Sequence, residues 1–266
     1  MESGFAVRRP LISGNHAKVV FPATPDTDPA FRQPDTESIS DFEQAELILW
    51  NGAGYAKWIS RVSLPRRKVV DTSAGFRERY ISTEGGMAHS HGREGTHSHE
   101  GTAFTTWLDF TQAVEQARSI RDALVHLLPS RRETFKANFS ALQRDLMDLD
   151  SRLTAIASSE PEKPLFASHP VYQYLARRYG LNLKSVMWEP DSVAPVDEWQ
   201  ALARLGNDHP AEWMLWEDHP SSGNLKRLQE LDIKSLVFNP CGNRVAGENF
   251  LDVMNKNIAN LEQVFR

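Results

Sequence analysis

The sequence predicts an α/β fold with mostly parallel sheets. Two observations carry this: short apolar runs alternate with amphipathic stretches along most of the chain, and one long uninterrupted helix lies between two such α/β halves. The candidate strands are 17–21, 47–50, 68–70, 164–168, 183–188, 213–216 and 233–238. Between them, apolar residues recur at helical spacing over 39–45, 114–128, 171–179, 196–205, 225–231 and 250–265. No internal repeat is evident.

The long helix is the segment that breaks the alternation. Residues 130–158 hold no Gly or Pro, and Phe135, Phe139, Leu142, Leu146, Leu149, Leu153 and Ile156 fall in steps of four and three. That spacing makes one apolar stripe. Some 27 residues at about 1.5 Å each give a rod of roughly 40 Å, long enough to connect two lobes. Pro129 and Pro161 set its limits. The same stripe also suits a coiled-coil dimer. The expected division is an N-terminal lobe over 1–128, the helix over 130–158 and a C-terminal lobe over 161–266.

A formal net charge of −5 argues against nucleic acid as a partner, and no apolar run reaches the length of a bilayer span. The start, MESGFAVRRPLISG, has no apolar core of a secretory leader. The expectation is therefore a cytosolic chain, or one that begins after a removed leader. One cysteine, Cys241, cannot form an internal disulfide or build a cysteine-based zinc site. The chain has no HExxH, no serine nucleophile elbow and no GxxxxGK[ST] phosphate loop, so nothing supports an enzyme.

The main chemical signal is GMAHSHGREGTHSHEGT, residues 86–102, in which His89, His91, His97 and His99 are four of the nine histidines. The stretch is too polar to bury a core, and imidazoles at i and i+2 of an extended backbone point the same way. Each pair could grip a metal ion, with the 92–96 link folding one pair onto the other. The plainer alternative is a solvated loop with incidental histidines. A second signal is Ser168-His169-Pro170 after the apolar run Leu165-Phe166-Ala167. Pro170 suits the first helical position, which places His169 near the N-cap of a helix over 171–179 ended by Gly180. That is the C-terminal end of a strand, where α/β folds keep ligand sites. A His merely hydrogen-bonded at a helix start fits equally. His16, His126 and His209 show no partner spacing.

These elements resemble the substrate-binding subunits of bacterial zinc and manganese ABC importers, the TroA-like family. The resemblance covers nearly the whole chain. It rests on Asp28-Pro29, Gln33-Pro34, AELILWNGAGYAKWI (45–59), TTWLDF (105–110), SHPVYQYLARRYGL (168–181) and the helix beginning NFLDVMNKNI. It implies two α/β lobes bridged by a rigid helix, a metal in the cleft between them, an extracytoplasmic location and delivery to a membrane permease. The implied ion is Zn²⁺ ahead of Mn²⁺, Cu²⁺ or Ni²⁺, carried by a monomer. Against the family pattern the N-terminal eleven residues are short, so a missing first strand and an open sheet edge are expected.

Three family ligands are replaced. The His of the DPH motif is Ala30, that of HxWLD falls at Thr105-Thr106-Trp107, and the carboxylate after the last strand falls at Phe238-Asn239-Pro240; His169 alone is kept. One imidazole cannot make a tight zinc site, so the cleft site is expected to be rebuilt or absent. The histidine-rich loop could enter the cleft beside His169 or collect metal by itself. The cleft could also take a different ligand through Thr105, Thr106, His169 and Asn239. Glu217, Asp218 and His219, after the strand 213–216, are further candidates, with a polar turn before Pro220 as the plainer alternative. The expected function is metal-importer solute binding, with a zinc buffer or metallochaperone and a metal-free ligand-binding protein as alternatives.

Overall fold

The computed structural model describes residues 10–23, 28–83, 89–91, 95–97, 101–243 and 245–266. Two compact units emerge. The first holds residues 1–147 and 241–251, the second 148–240 and 252–266.

In the first unit, α1 (Thr36–Gln44) starts where the Asp35 carboxylate accepts from the Ser38 N–H at 2.8 Å. Two parallel strands follow, β1 (Ile48–Trp50) and β2 (Val69–Asp71), with Ile48 opposite Val69. The turn after β1 requires glycine. Gly52 has φ +75°, and a Cβ there would lie 2.2 Å from Ser73 Oγ and 2.3 Å from Asp71 Oδ1. An antiparallel pair, β3 (Ser82–Thr83) with β6 (Gly101–Thr102), flanks a second antiparallel pair, β4 (His89–His91) with β5 (Gly95–His97). Helix α2 (Phe110–Leu127) is capped by Asp109, which accepts from the Thr111 and Gln112 N–H groups.

The segment 17–21 forms no strand, against the sequence expectation. Among the described residues no ladder includes it, and Val19 and Val20 are 36% and 45% exposed. Its β-branched composition suits an extended chain, but pairing comes from a neighbour rather than from propensity.

The long helix is α3 (Arg132–Ser159), 28 residues. Phe135, Phe139, Leu142, Leu146, Leu149 and Leu153 are all buried, while Ile156 is half-buried and Ala157 takes the last buried position. Residues of α3 fall in both units.

The second unit contains β7 (Pro164–Ala167), α4 (Gln173–Tyr179), β8 (Asn182–Ser185), α5 (Val196–Asp208), β9 (Trp213–Trp216), α6 (Ser222–Gln229), β10 (Lys234–Val237) and α7 (Phe250–Glu262), the last begun at the end of the first. Its four strands are parallel in the order β10-β9-β7-β8. The two central strands, PLFA and WMLW, are apolar throughout, as strands covered on both faces must be. One face packs Phe166, Met214 and Trp216 against Trp188, Trp199, Leu202 and Leu228. β8, at the edge, exposes Lys184 and Ser185.

Asp150 of α3 is buried and receives a bidentate pair from Arg178, Nε to Oδ1 at 2.9 Å and Nη2 to Oδ2 at 2.6 Å; Tyr179 Oη donates to Oδ1 at 2.9 Å. This ties the end of α4 to α3. Asp150→Ala is expected to destabilise the protein by about 2–3 kcal/mol, less than a fully buried pair because Arg178 keeps solvent access. Urea unfolding followed by far-UV circular dichroism measures it, and a loss under about 0.5 kcal/mol, the range of ordinary surface changes, would contradict it.

Candidate functional site

In the second unit, the strand order places β7 next to β9 with the chain leaving them in opposite lateral directions. This is the topological switch point at which open α/β sheets bind ligands, beyond the C-terminal strand ends. His169 stands there, two residues past β7. It is not at the helix N-cap: α4 begins at Gln173 with Tyr172 as its cap. Pro170 disfavours helical backbone at the residue before it, and Val171 N–H instead donates to His169 O at 3.0 Å in a tight turn. Gly180 ends α4 with φ +66°, as expected.

Two carboxylates face the ring. His169 Nδ1 lies 3.6 Å from Glu189 Oε1 and 4.0 Å from Glu217 Oε1, and its side chain is 6% exposed. The backbone brings them together. Ser168 N–H donates to Leu215 O at 2.8 Å, which sets His169 beside the end of β9 and Glu217. Trp188 N–H donates to Ser168 O at 2.7 Å, which sets Glu189 beside the same turn. Tyr172, fully buried, donates to Phe238 O at 2.7 Å. Burial pushes its hydroxyl well above the ordinary tyrosine range, and the nearby charge of Glu217 adds to this.

Sequence reasoning named Glu217 and missed Glu189, which lies four residues beyond β8 and shows no spacing signal. Asp218 accepts from His219 N–H in an exposed turn. Asn239 is held by its backbone, donating to Asn257 Oδ1 at 2.9 Å and accepting from Asn257 Nδ2 at 2.7 Å. His209 has a structural place, its Nε2 2.9 Å from Leu165 O and its ring against Phe166.

The first unit holds Thr105 and Thr106, both buried. Thr106 Oγ1 donates to Gln116 Oε1 at 3.2 Å, and Gln116 Nε2 donates to Asn51 Oδ1 at 2.8 Å, so this hydroxyl belongs to a buried polar network. Ala30 is 3% exposed, and its N–H donates to Asp28 Oδ1. Cys241 is buried, and burial, with Glu248 adding, pushes its thiol up to about 12.

In the histidine-rich segment, the ladder pairs His89 with His97 and His91 with Gly95. The extended backbone agrees with expectation; His99 lies outside the described residues. Among the described residues no three His, Cys, Asp or Glu side chains already stand together as a metal-holding group. No described helix is long and apolar enough to cross a membrane.

The model of one family, described as zinc-uptake complex component A, periplasmic, matches residues 10–264. The chain belongs to this zinc-uptake component A family. The chain is similar to the zinc-binding protein AdcA of Streptococcus pyogenes serotype M3, 27% identical over 271 residues, covering 94% of this chain and 52% of that protein. The zinc-binding lipoprotein AdcA of Streptococcus pneumoniae strain R6 is 25% identical over 270 residues, covering 95% and 52%. The chain thus spans about half the length of the curated relatives it matches. The fold is similar to the Zn(II)-bound ZnuA-like domain of Streptococcus pneumoniae AdcA, with TM-score 0.79 and 22% identity, covering 96% of this chain and 93% of that one. It is equally similar to the metal-dependent lipoprotein YcdH of Bacillus subtilis, with TM-score 0.79 and 19% identity over the same shares.

Proposed function

We propose that this chain is the substrate-binding component of a divalent-metal ABC importer, with Zn²⁺ as its cargo. The observation that carries the reading is His169, a buried imidazole at the switch point of the parallel sheet, with two carboxylates facing its ring. An imidazole suits Zn²⁺, and the similar proteins are named for binding zinc. His89, His91, His97 and His99 supply further imidazoles from the ribbon segment. Thr105 and Thr106 of the lobe 1–128, and Glu217, Asp218 and Asn239 of the lobe 161–266, are further candidate polar groups, with the helix of 130–158 between the two lobes in the chain. The protein acts outside the cytoplasm and hands the ion to a membrane permease.

A competing reading is favoured by Ala30 and Thr105 standing where the family has imidazoles: a zinc buffer that holds metal on the ribbon alone. A competition titration of Zn²⁺ against a chelator, run with thermal unfolding, separates the two. The variant with His89, His91, His97 and His99 changed to Ala is expected to keep one ion that raises the unfolding temperature, since binding to the folded state alone stabilises it by mass action. If that variant loses all Zn²⁺ binding while the native protein shows no thermal shift, the ribbon is a buffer and the importer reading fails.

A further inference from the structure

Charge is unevenly spread over the first unit. From residue 47 to 70 the chain has no Asp or Glu but five cations, Lys57, Arg61, Arg66, Arg67 and Lys68, although its formal net charge is −5. They lie on two 3-10 turns, Lys57–Arg61 and Arg66–Lys68, the second leading straight into β2. The first turn is pinned by Trp58, which is buried with its ring centre 5.1 Å from that of Phe42 in α1. The second is pinned by Lys68, whose Nζ donates to Glu43 O at 2.8 Å.

The other four cations take no part in holding the fold. Lys57, Arg61, Arg66 and Arg67 are all exposed, and among the described residues their side chains make no hydrogen bond or ion pair. The carboxylates of α1, Glu37, Asp41 and Glu43, are exposed too, and none pairs with them. Lys57 and Arg61 sit on one turn with a rise of about 2 Å per residue. Arg61 and Arg66 are five residues apart, a reach of at most about 17 Å. The four therefore present one local positive field on a chain that is acidic as a whole.

We propose that these two turns are a docking surface for a bilayer containing anionic phospholipid. Groups of about four to eight Lys and Arg side chains bind anionic headgroups, and each cation near such a surface strengthens binding about fivefold. The form of the cluster favours a membrane over an acidic protein. Recognition of a protein carboxylate uses an Arg fork fixed in one geometry. Here no guanidinium is fixed, and long free stems suit a surface whose charges are spread and mobile. Val62, Leu64 and Pro65, half-buried between the two turns, bring apolar atoms to the same stretch. The same surface repels the carboxylates of α1, so the field orients the molecule as well as drawing it in. The proposal does not depend on what the chain carries.

Co-sedimentation with vesicles tests it, on the full chain and with a chelator present so that no divalent ion bridges protein and lipid. The native protein is expected to bind vesicles of equal parts phosphatidylglycerol and phosphatidylcholine and to ignore pure phosphatidylcholine. It is expected to come off at about 1 M salt, where the screening length falls to about 3 Å. The variant K57Q/R61Q/R66Q/R67Q is expected to bind the anionic vesicles at least about a hundredfold more weakly, since four cations at about fivefold each are lost. A second variant, R131Q/R132Q/K136Q/K226Q, removes the same charge from other exposed positions and is expected to bind nearly as well as the native protein. Circular dichroism checks both folds, and the native measurements need neither variant. Native protein that fails to bind the anionic vesicles, or binds neutral ones as well, overturns the proposal. So does an equal loss in the two variants. Capture of the native protein but not the first variant on polyglutamate beads, with no vesicle binding, assigns the patch to an acidic protein and overturns it too.

Discussion

His169→Ala is expected to weaken Zn²⁺ binding by more than about a hundredfold while leaving the fold intact. The magnitude follows from the ligand's place in the site. Losing an outer-shell partner of a metal-binding histidine already costs about 10–100-fold, and removing the imidazole removes the bond itself. Stability should change little by comparison. The neighbouring turn is held by main-chain bonds from Ser168 to Leu215 and from Trp188 to Ser168, which an alanine retains. Competition against a strong chelator gives the affinity, and circular dichroism gives the fold. A variant that binds Zn²⁺ as tightly as the native protein would remove His169 from the site altogether. His169→Gln separates ligand loss from packing loss, because an amide fills much of the same volume and coordinates zinc poorly.

Leu153→Ala is expected to cost about 3–4 kcal/mol of folding free energy. Leu153 is fully buried on the apolar stripe of α3. Removing it deletes the transfer free energy of its side chain and leaves a cavity that packed neighbours fill only in part; Leu→Ala changes of this kind span about 2–5 kcal/mol. Leu149 and Ala157 lie one turn away on the same face and limit how far the site can collapse. Equilibrium denaturation in urea, fitted with the native slope, gives the value. A loss below about 1 kcal/mol would mean that the stripe is only loosely packed. Met147, on the exposed side of the same helix at 38% exposure, serves as the control, with Met147→Ala within about 0.5 kcal/mol of native.

Much of the fold was legible in the residues because its signals are local. The strand 213–216 is apolar at every position and reads as a buried parallel strand without any knowledge of its neighbours. The stripe of α3 is a periodicity, and periodicity survives in the sequence whatever the helix packs on. The failures are equally specific. The segment 17–21 has strand composition, but a strand exists only when another lies beside it, and that is a tertiary fact. The helix after His169 begins two residues later than the expected 171, because the chain first closes a tight turn in which Val171 N–H donates to His169 O at 3.0 Å.

The candidate site divides in the same way. His169 could be found because a histidine between an apolar run and a proline is a local pattern. Glu217 could be found because it directly follows an apolar strand. Glu189 could not, since it follows Trp188 in an irregular stretch. The hydrogen bond from Trp188 to Ser168, across 20 residues of chain, helps bring it to the ring. In the histidine-rich segment, proximity was legible but the register was not: His97 stands opposite His89, whereas His91 stands opposite Gly95.

The tryptophans of the second unit have an optical consequence. Trp188 and Trp216 immediately precede Glu189 and Glu217, their ring centres lie 6.2 Å apart, and Trp188 lies 4.4 Å from Trp199. Indoles this close exchange excitation energy far faster than they emit, so light absorbed by any of them is shared across the group. Two members sit one residue from the carboxylates that face His169. A cation settling at that edge changes the electric field across the shared chromophore. The ultraviolet emission of the unlabelled protein therefore becomes a gauge of how full the site is, read without a dye, a tag or a mutation.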